Sequence, residues 1–458
     1  MGSVTPPSAI RSRKLDAGGW AIVVIGVVGG ALAAGQWWRA VHAPPRDDFP
    51  RQAELREVTD LIFGLDATVE DYAKAESLVA RALTAKPDDP ETEIVAAEVN
   101  NWYFFRGFDR SEARYESMQR HSARALQLAP DQPEALASMG EFLQAREADL
   151  PRAIDLLQRA IATQPRVPRW HSSLAEALRI NDPDAGLRTL EAAAKRFPHD
   201  VLIRYNLARH YRDVGRLEDM ERVLDEVIAL QPIANALLWK ARVLLWAHGD
   251  VAGMKRMLDR VPPPLLVSER AAINLFVYAN LARQADDALR ILRELPNDWF
   301  DDYDYVGPKG LLVGGLLELQ GKADEARAEF QKAFADVQRR KPSDMVPDVS
   351  LRVSEIWSLL ALGRMPEARA AYRIHLNNVS RPYQLRFSTS WWFSEIPAAL
   401  LLGDRATALQ LAGEAAQTPQ GRTQLRVAFQ IDPRLARWHD DPDFAALIAA
   451  RPVADSAH

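Results

Sequence analysis

The chain is 458 residues long, 48% hydrophobic and 26% charged, with a formal net charge of −5 and no cysteine. The lack of Cys excludes disulfides, thiolate metal sites and a cysteine nucleophile, and the mildly acidic balance offers no basic face for nucleic acid. Arg outnumbers Lys 47 to 10, which reads as a high-GC bacterial coding bias, and the Ala-, Leu- and Arg-rich mix favours helices.

Residues 1–16 are a short tail carrying Arg11, Arg13 and Lys14 against Asp16. From Ala17 to Trp38 the chain runs AGGWAIVVIGVVGGALAAGQWW without a charged side chain. At 1.5 Å per residue this stretch spans about 33 Å, the thickness of a hydrocarbon core. Trp20 at one end and Trp37 and Trp38 at the other suit the headgroup region. Residues 17–38 therefore read as a transmembrane helix. Arg39 and Arg46 beyond it are offset by Asp47 and Asp48, so the positive side is the N-terminus. That predicts a single-pass protein of the bacterial inner membrane, N-terminus cytoplasmic and the remainder periplasmic. Ala31-Leu32-Ala33 also resembles a processing site, so an uncleaved anchor and a cleaved signal peptide both stand. Residues 39–51, with Pro44, Pro45 and Pro50, form a linker.

Beyond the linker the chain reads as paired amphipathic helices, each pair packing on its neighbours. Apolar segments close at Pro87, Pro130, Pro165, Pro198 and Pro232, with gaps of 43, 35, 33 and 34 residues. Pro stops each second helix because it supplies no backbone donor, and Ala82, Ala125 and Ala160 let neighbouring helices approach closely. A sustained period near 34 with a terminal Pro resembles the tetratricopeptide-repeat (TPR) family. The fit is best from Val201 to Pro232, where Leu207, Ala208, Tyr211, Gly215 and Leu224 occupy the family's packing and turn positions. The resemblance implies an all-α, TPR-like helical-repeat superhelix (a solenoid) behind one N-terminal transmembrane helix. Residues 52–304 form its first part.

Residues 305–450 carry longer units: Gly321, Gly363 and Gly403 lie 42 and 40 residues apart, with Ala326, Ala368 and Ala408 each five residues later. The run from Asp432 to Phe444, DPRLARWHDDPDF, is similar to the close of TPR regions in bacterial membrane-spanning kinases, nucleotide cyclases and winged-helix regulators. It implies a C-terminal cap in which Leu435, Trp438, Phe444 and Leu447 cover the last repeat. Too few residues precede position 17 for a kinase or DNA-binding part, so the resemblance implies architecture and no activity. Residues 451–458 are a tail.

Catalytic chemistry finds no constellation. The nine His residues make no HExxH pair, there is no G-x-S-x-G elbow, and Gly321-Lys322 is followed by Ala323 instead of the Ser or Thr of a phosphate loop. Asp301, Asp302 and Asp304 lack the spacing and distal Glu of a calcium loop. The expectation is a non-enzyme without cofactor or metal.

Binding is the better reading. In the resembled family the first helix of each pair lines a concave groove that holds a peptide or partner helix. That frame implies Arg169, Trp170, Arg179, Tyr205, Asn206, Arg209 and Arg212 on the groove. The four guanidiniums there offer either a basic strip for a carboxylate or a solvated helix face, and Glu134, Glu141 and Glu176 nearby argue against a uniformly basic groove. Three aromatic stretches interrupt the repeat and offer either packing or an alternative binding surface: Trp102 and Tyr103 in the first, Trp299 and Tyr303 in the second, Trp391 and Trp392 in the third. The expected function is a membrane-anchored scaffold or assembly factor for a protein partner, an envelope complex or client polypeptide. The alternative is an extracytoplasmic ligand-sensing module whose effector is a separate chain.

Overall fold

The computed structural model describes residues 53–302, 305–342, 348–378, 395–432 and 434–449. The tail at 1–16, the expected transmembrane helix at 17–38, the linker at 39–51, the tail at 451–458, and Tyr303, Trp391 and Trp392 lie outside these residues. Among the described residues no helix is long and apolar enough to cross a membrane. The chain divides into two units, 1–49 and 50–458, and every described helix belongs to the second.

Helices pair in sequence order. Pairs 1 to 3 are α1 (Ala53–Ile62) with α2 (Val69–Ala85), α3 (Pro90–Phe105) with α4 (Glu112–Leu128), and α5 (Pro133–Gln144) with α6 (Leu150–Thr163). Pairs 4 to 6 are α7 (Pro168–Asn181) with α8 (Pro183–Arg196), α9 (Val201–Asp213) with α10 (Leu217–Leu230), and α11 (Ala234–His248) with α12 (Val251–Leu258). Pair 7 is α13 (Glu269–Ala282) with α14 (Asp286–Glu294). Pairs 8 and 9 are α15 (Lys309–Leu319) with α16 (Ala323–Arg339) and α17 (Asp348–Ala361) with α18 (Met365–Asn378). Pairs 10 and 11 are α19 (Glu395–Leu401) with α20 (Arg405–Ala415) and α21 (Pro419–Ile431) with α22 (Pro442–Ala449).

The punctuation explains these boundaries. α2, α4, α6, α8 and α10 each end two residues before the prolines at 87, 130, 165, 198 and 232. Starts are capped by side chains: Asp89 accepts from the Thr92 N–H, Asp182 from Ala185 and Asp200 from Ile203, filling donors a helix leaves unpaired. Gly321, Gly363 and Gly403 take φ of +76°, +71° and +80°, a left-handed turn that a Cβ disfavours. Ala326, Ala368 and Ala408 are fully buried after them. At the C-terminal end Leu435 and Phe444 are buried, with Trp438 and Leu447 packed beside them.

Two features depart from the sequence reading. The stretch around Trp299 is neither helix nor open loop. β1 (Trp299–Asp302) and β2 (Tyr305–Pro308) pair antiparallel, Trp299 opposite Pro308 and Asp302 opposite Tyr305. Alternating exposure puts Phe300 wholly inside, the period of a strand. The described array is therefore helical with one inserted hairpin, and the division expected at residue 304 falls within it.

The second departure concerns packing. A repeat array is expected to hold each pair against its neighbours alone, yet each turn of this one also meets the next. The loop of pair 1 reaches the start of pair 6, where Asp66 Oδ1 accepts from the Ala234 N–H at 3.1 Å. The loop of pair 2 reaches the hairpin after pair 7 through Arg110 and Asp301, 2.6 Å apart. α21 of pair 11 packs on α11 of pair 6, with Val427 and Ile431 against Gly249. All three contacts join pairs five apart.

Candidate partner-binding surface

The array is a TPR-like stack of helix pairs, and its first helices hold the polar side chains from which a binding surface has to be built. They are unusually enclosed. α5 is buried at every residue from Pro133 to Leu143, and α3 is buried from Thr92 to Asn101. Such a helix touches its own partner, both flanking pairs and, where turns meet, a more distant pair. A charged group placed there must be paired, because an unpaired buried charge is costly.

The first cluster joins α3, α5 and α7. Arg169 Nη2 lies 2.7 Å from Glu98 Oε1, both nearly inaccessible. Ser173 Oγ donates to Glu141 Oε1 at 2.8 Å, and Asn101 Nδ2 donates to the Ser138 carbonyl at 3.0 Å. The Arg169 guanidinium also lies over the Phe63 ring, 4.6 Å from its centroid. Burial pushes the Glu141 carboxyl up to about 7. Arg169 and Ser173 draw it down and Glu98 adds to the rise, so it gains or loses its proton near neutrality.

A second cluster joins α7 and α9. Glu176 takes Arg179 at 3.0 Å and Arg209 at 3.2 Å, with His210 Nε2 at 3.4 Å. Burial raises this carboxyl, but Arg209, Arg179 and His210 together hold it well below the usual range. Asp213 faces Arg179 at 3.2 Å and accepts from Arg212 Nε at 2.8 Å. Arg212 also lies over Trp239 of α11, 4.7 Å from the ring centroid.

The third cluster is aromatic and reaches the hairpin. The Tyr205 hydroxyl accepts from Trp239 Nε1 at 3.2 Å and from Arg270 Nη1 at 3.3 Å. Arg270 also binds Asn235 at 3.0 Å and Asp302 at 3.0 Å.

These positions show what each of the four guanidiniums meets. Arg179, Arg209 and Arg212 do come together, but around Glu176 and Asp213, so the strip alternates in charge. Arg169 sits apart with Glu98. Trp170 is 1% exposed, and Asn206, Arg169 and Arg212 are also buried; each fills the space between successive first helices. What stays partly open is Tyr205, Arg179 and Arg209, with Ser173, Glu176 and Asp213.

The described members of the aromatic set each contact a neighbouring side chain, with Trp102 and Trp299 partly exposed. Trp102 meets Phe63 edge-on at 5.6 Å under Arg106. Tyr103 lies between Tyr72 and Arg114, and Arg340 covers Trp299 at 4.3 Å. Sequence reasoning missed Glu98, Asp213, Trp239 and Arg270. Asp213 stands beside its partner Arg212 in the sequence, whereas its contact with Arg179 and those of Glu98 and Arg270 depend on residues far along the chain.

Other openings lie elsewhere. A cleft of about 790 Å³ opens beside α12 to α14, floored by Leu258, Val261, Leu275 and Ile291 and edged by Lys255 and Arg283. Among the described residues no group of three or more His, Cys, Asp or Glu side chains converges as metal ligands would.

No protein-family model matches the chain. Over 232 residues it is 26% identical to cellulose synthase operon protein C of Xanthomonas axonopodis pv. citri (strain 306). That match covers 47% of this chain and 14% of the relative. Among solved structures it is similar to a tetratricopeptide repeat protein from Parabacteroides merdae ATCC 43184, at 17% identity and a TM-score of 0.41, covering 56% of this chain and 96% of that one. It is also similar to PilW, a type IV pilus biogenesis factor, at 18% identity and a TM-score of 0.36, covering 49% and 100%.

Proposed function

We propose that this chain is a scaffold or assembly factor that holds a protein partner, an envelope complex or a client polypeptide, on the first-helix face of its array. The carrying observation is the architecture. Stacked helix pairs present an extended face, and among the described residues ion pairs on the first helices join one pair to another. On this reading the partly open edge formed by Tyr205, Arg179 and Arg209 with Glu176 and Asp213 is the docking strip. Because its charges alternate, it suits a segment of mixed polarity over an acidic one.

In the same proposal residues 17–38 tether the array to the bacterial inner membrane, N-terminus cytoplasmic and array periplasmic. The apolar run, its Trp pair and the Lys/Arg bias before it support this placement. The likeness to a cellulose synthase operon protein fits a place among envelope assemblies.

A photo-crosslinking amino acid at Tyr205 or Arg209 tests the docking strip in cells. One at Arg188, whose side chain is 68% exposed on α8, is the control. A discrete partner adduct from the first two positions and none from Arg188 is expected. Equal labelling at all three, or adducts from Arg188 alone, overturns the assignment.

A further inference from the structure

We propose that the contacts between pairs five apart form a releasable latch: pairs 1 and 2 part from pairs 6 and 7, and the first-helix wall opens between them. The three contacts differ in kind. At the C-terminal side α21 meets α11 through apolar groups, with Val427 and Ile431 each 3.7 Å from where a Cβ on Gly249 would stand. Val427 is buried there, and water has no purchase on that contact.

The N-terminal side is held by polar groups. Arg110 and Asp301 make an ion pair 2.6 Å long, their side chains 34% and 36% exposed. Pairs this open are weak in water and weaken further with salt. The other polar link is the single hydrogen bond from Ala234 N–H to Asp66, beside which Leu65 packs on the core of pairs 4 to 6.

The loop of pair 1 is fastened to pair 2. Arg106 donates to the Gly64 and Leu65 carbonyls at 2.8 and 3.0 Å, and Trp102 packs on Phe63, so the loop holding Asp66 travels with pair 2. Along the first helices lies the wall on which Arg179, Arg209 and Arg212 meet Glu176 and Asp213. Phe63 after α1 lies against Arg169 of that wall and Arg270 of pair 7 reaches Tyr205, so separating the turns uncovers more of the wall for a bound segment. The use of the opened wall rests on the scaffold reading; the opening itself does not.

The chain has no cysteine, so two introduced ones are unique labelling sites. Spin labels at Glu112→Cys on α4 and Asp287→Cys on α14, both exposed, report the separation by double electron–electron resonance on the full-length chain. In low salt a single narrow distance is expected. It should lengthen and broaden in 1 M NaCl and in Arg110→Asp, and the swap of Arg110→Asp with Asp301→Arg should restore it. Unchanged distances in Arg110→Asp and in high salt overturn the latch. Should Arg110→Asp lose helical circular dichroism, the salt titration of the otherwise unchanged labelled chain decides alone. If distances shift but Tyr205 and Arg209 capture no partner, the latch stands and the scaffold reading of the wall fails.

Discussion

Asp66 caps a helix that begins 168 residues further along the chain: its Oδ1 accepts the backbone N–H of Ala234, at the start of α11, at 3.1 Å. The residue at the usual capping position there is Ile233, which has no side-chain acceptor. One carboxylate thus satisfies an orphan donor of pair 6 and ties pair 1 to it. Asp66→Ala should cost about 1 kcal/mol, the ordinary worth of a cap, and Asp66→Asn should cost less because its carbonyl still accepts. Thermal unfolding of the two variants checks this; equal losses would mean that the side-chain acceptor is not what matters.

Glu141 and Glu176 make opposite contributions to pH dependence. The Glu141 carboxyl sits at about 7 in the folded chain against an ordinary 4.5, so the folded state binds the extra proton between those values. Its contribution is therefore lost as pH rises from 4.5 through 7, on the order of 3 kcal/mol in all. Glu176, held well below its ordinary value, contributes above about pH 4.5 and loses that contribution as pH falls through its folded value. Urea unfolding at steps from pH 5 to 8 should show Glu141→Gln flattening the neutral part of the profile. A profile parallel to wild type would show that Glu141 does not carry this proton.

Arg169 and Arg209 look alike in the sequence and differ in burial. Arg169→Ala strands Glu98 as an uncompensated buried charge, which costs roughly 3–5 kcal/mol. Arg209→Ala removes one of several partners from Glu176, which keeps Arg179 and His210 beside it, and should cost less than Arg169→Ala. Chemical denaturation separates the two. Similar midpoints for both variants would contradict the burial assigned to the Glu98 pair.

What the sequence announces here is local. Pro ends the second helices because it lacks a donor, and Gly321, Gly363 and Gly403 mark turns because positive φ disfavours a Cβ; both follow from one residue's own covalent structure. The buried small residues at Ala125 and Ala160 are legible for the same reason. The charge state of the wall is not. Whether Arg212 faces solvent or lies over Trp239 depends on the angle between successive pairs, and no single helix encodes that angle. The hairpin at Trp299 hides for a different reason: four-residue strands give too short a run for alternation to stand out against helical spacing. Contacts such as Asp66 to Ala234 accumulate over five pairs of small rotations, so no local pattern anticipates them.

The meeting of α21 with α11 makes a prediction that separates this array from one held only by adjacent pairs. In a strictly nearest-neighbour stack, damage at the C-terminal cap loosens pairs 10 and 11 and leaves pair 6 unaffected. Here Ile431 packs against the core that pairs 6 to 8 share, and with Val427 it lies against Gly249 at the end of α11. Ile431→Ala should cost roughly 2 kcal/mol, the low end for an aliphatic truncation because the side chain is only partly buried. Hydrogen exchange should then quicken at two separated places: along α21, and at the amides from Leu245 to Gly249 that close α11. Exchange in α7 and α8, two pairs before α11, serves as the internal control. If the change stays within pairs 10 and 11 while α11 keeps its protection, pair 6 does not depend on the cap, and stability along the chain is a sum of adjacent contacts after all.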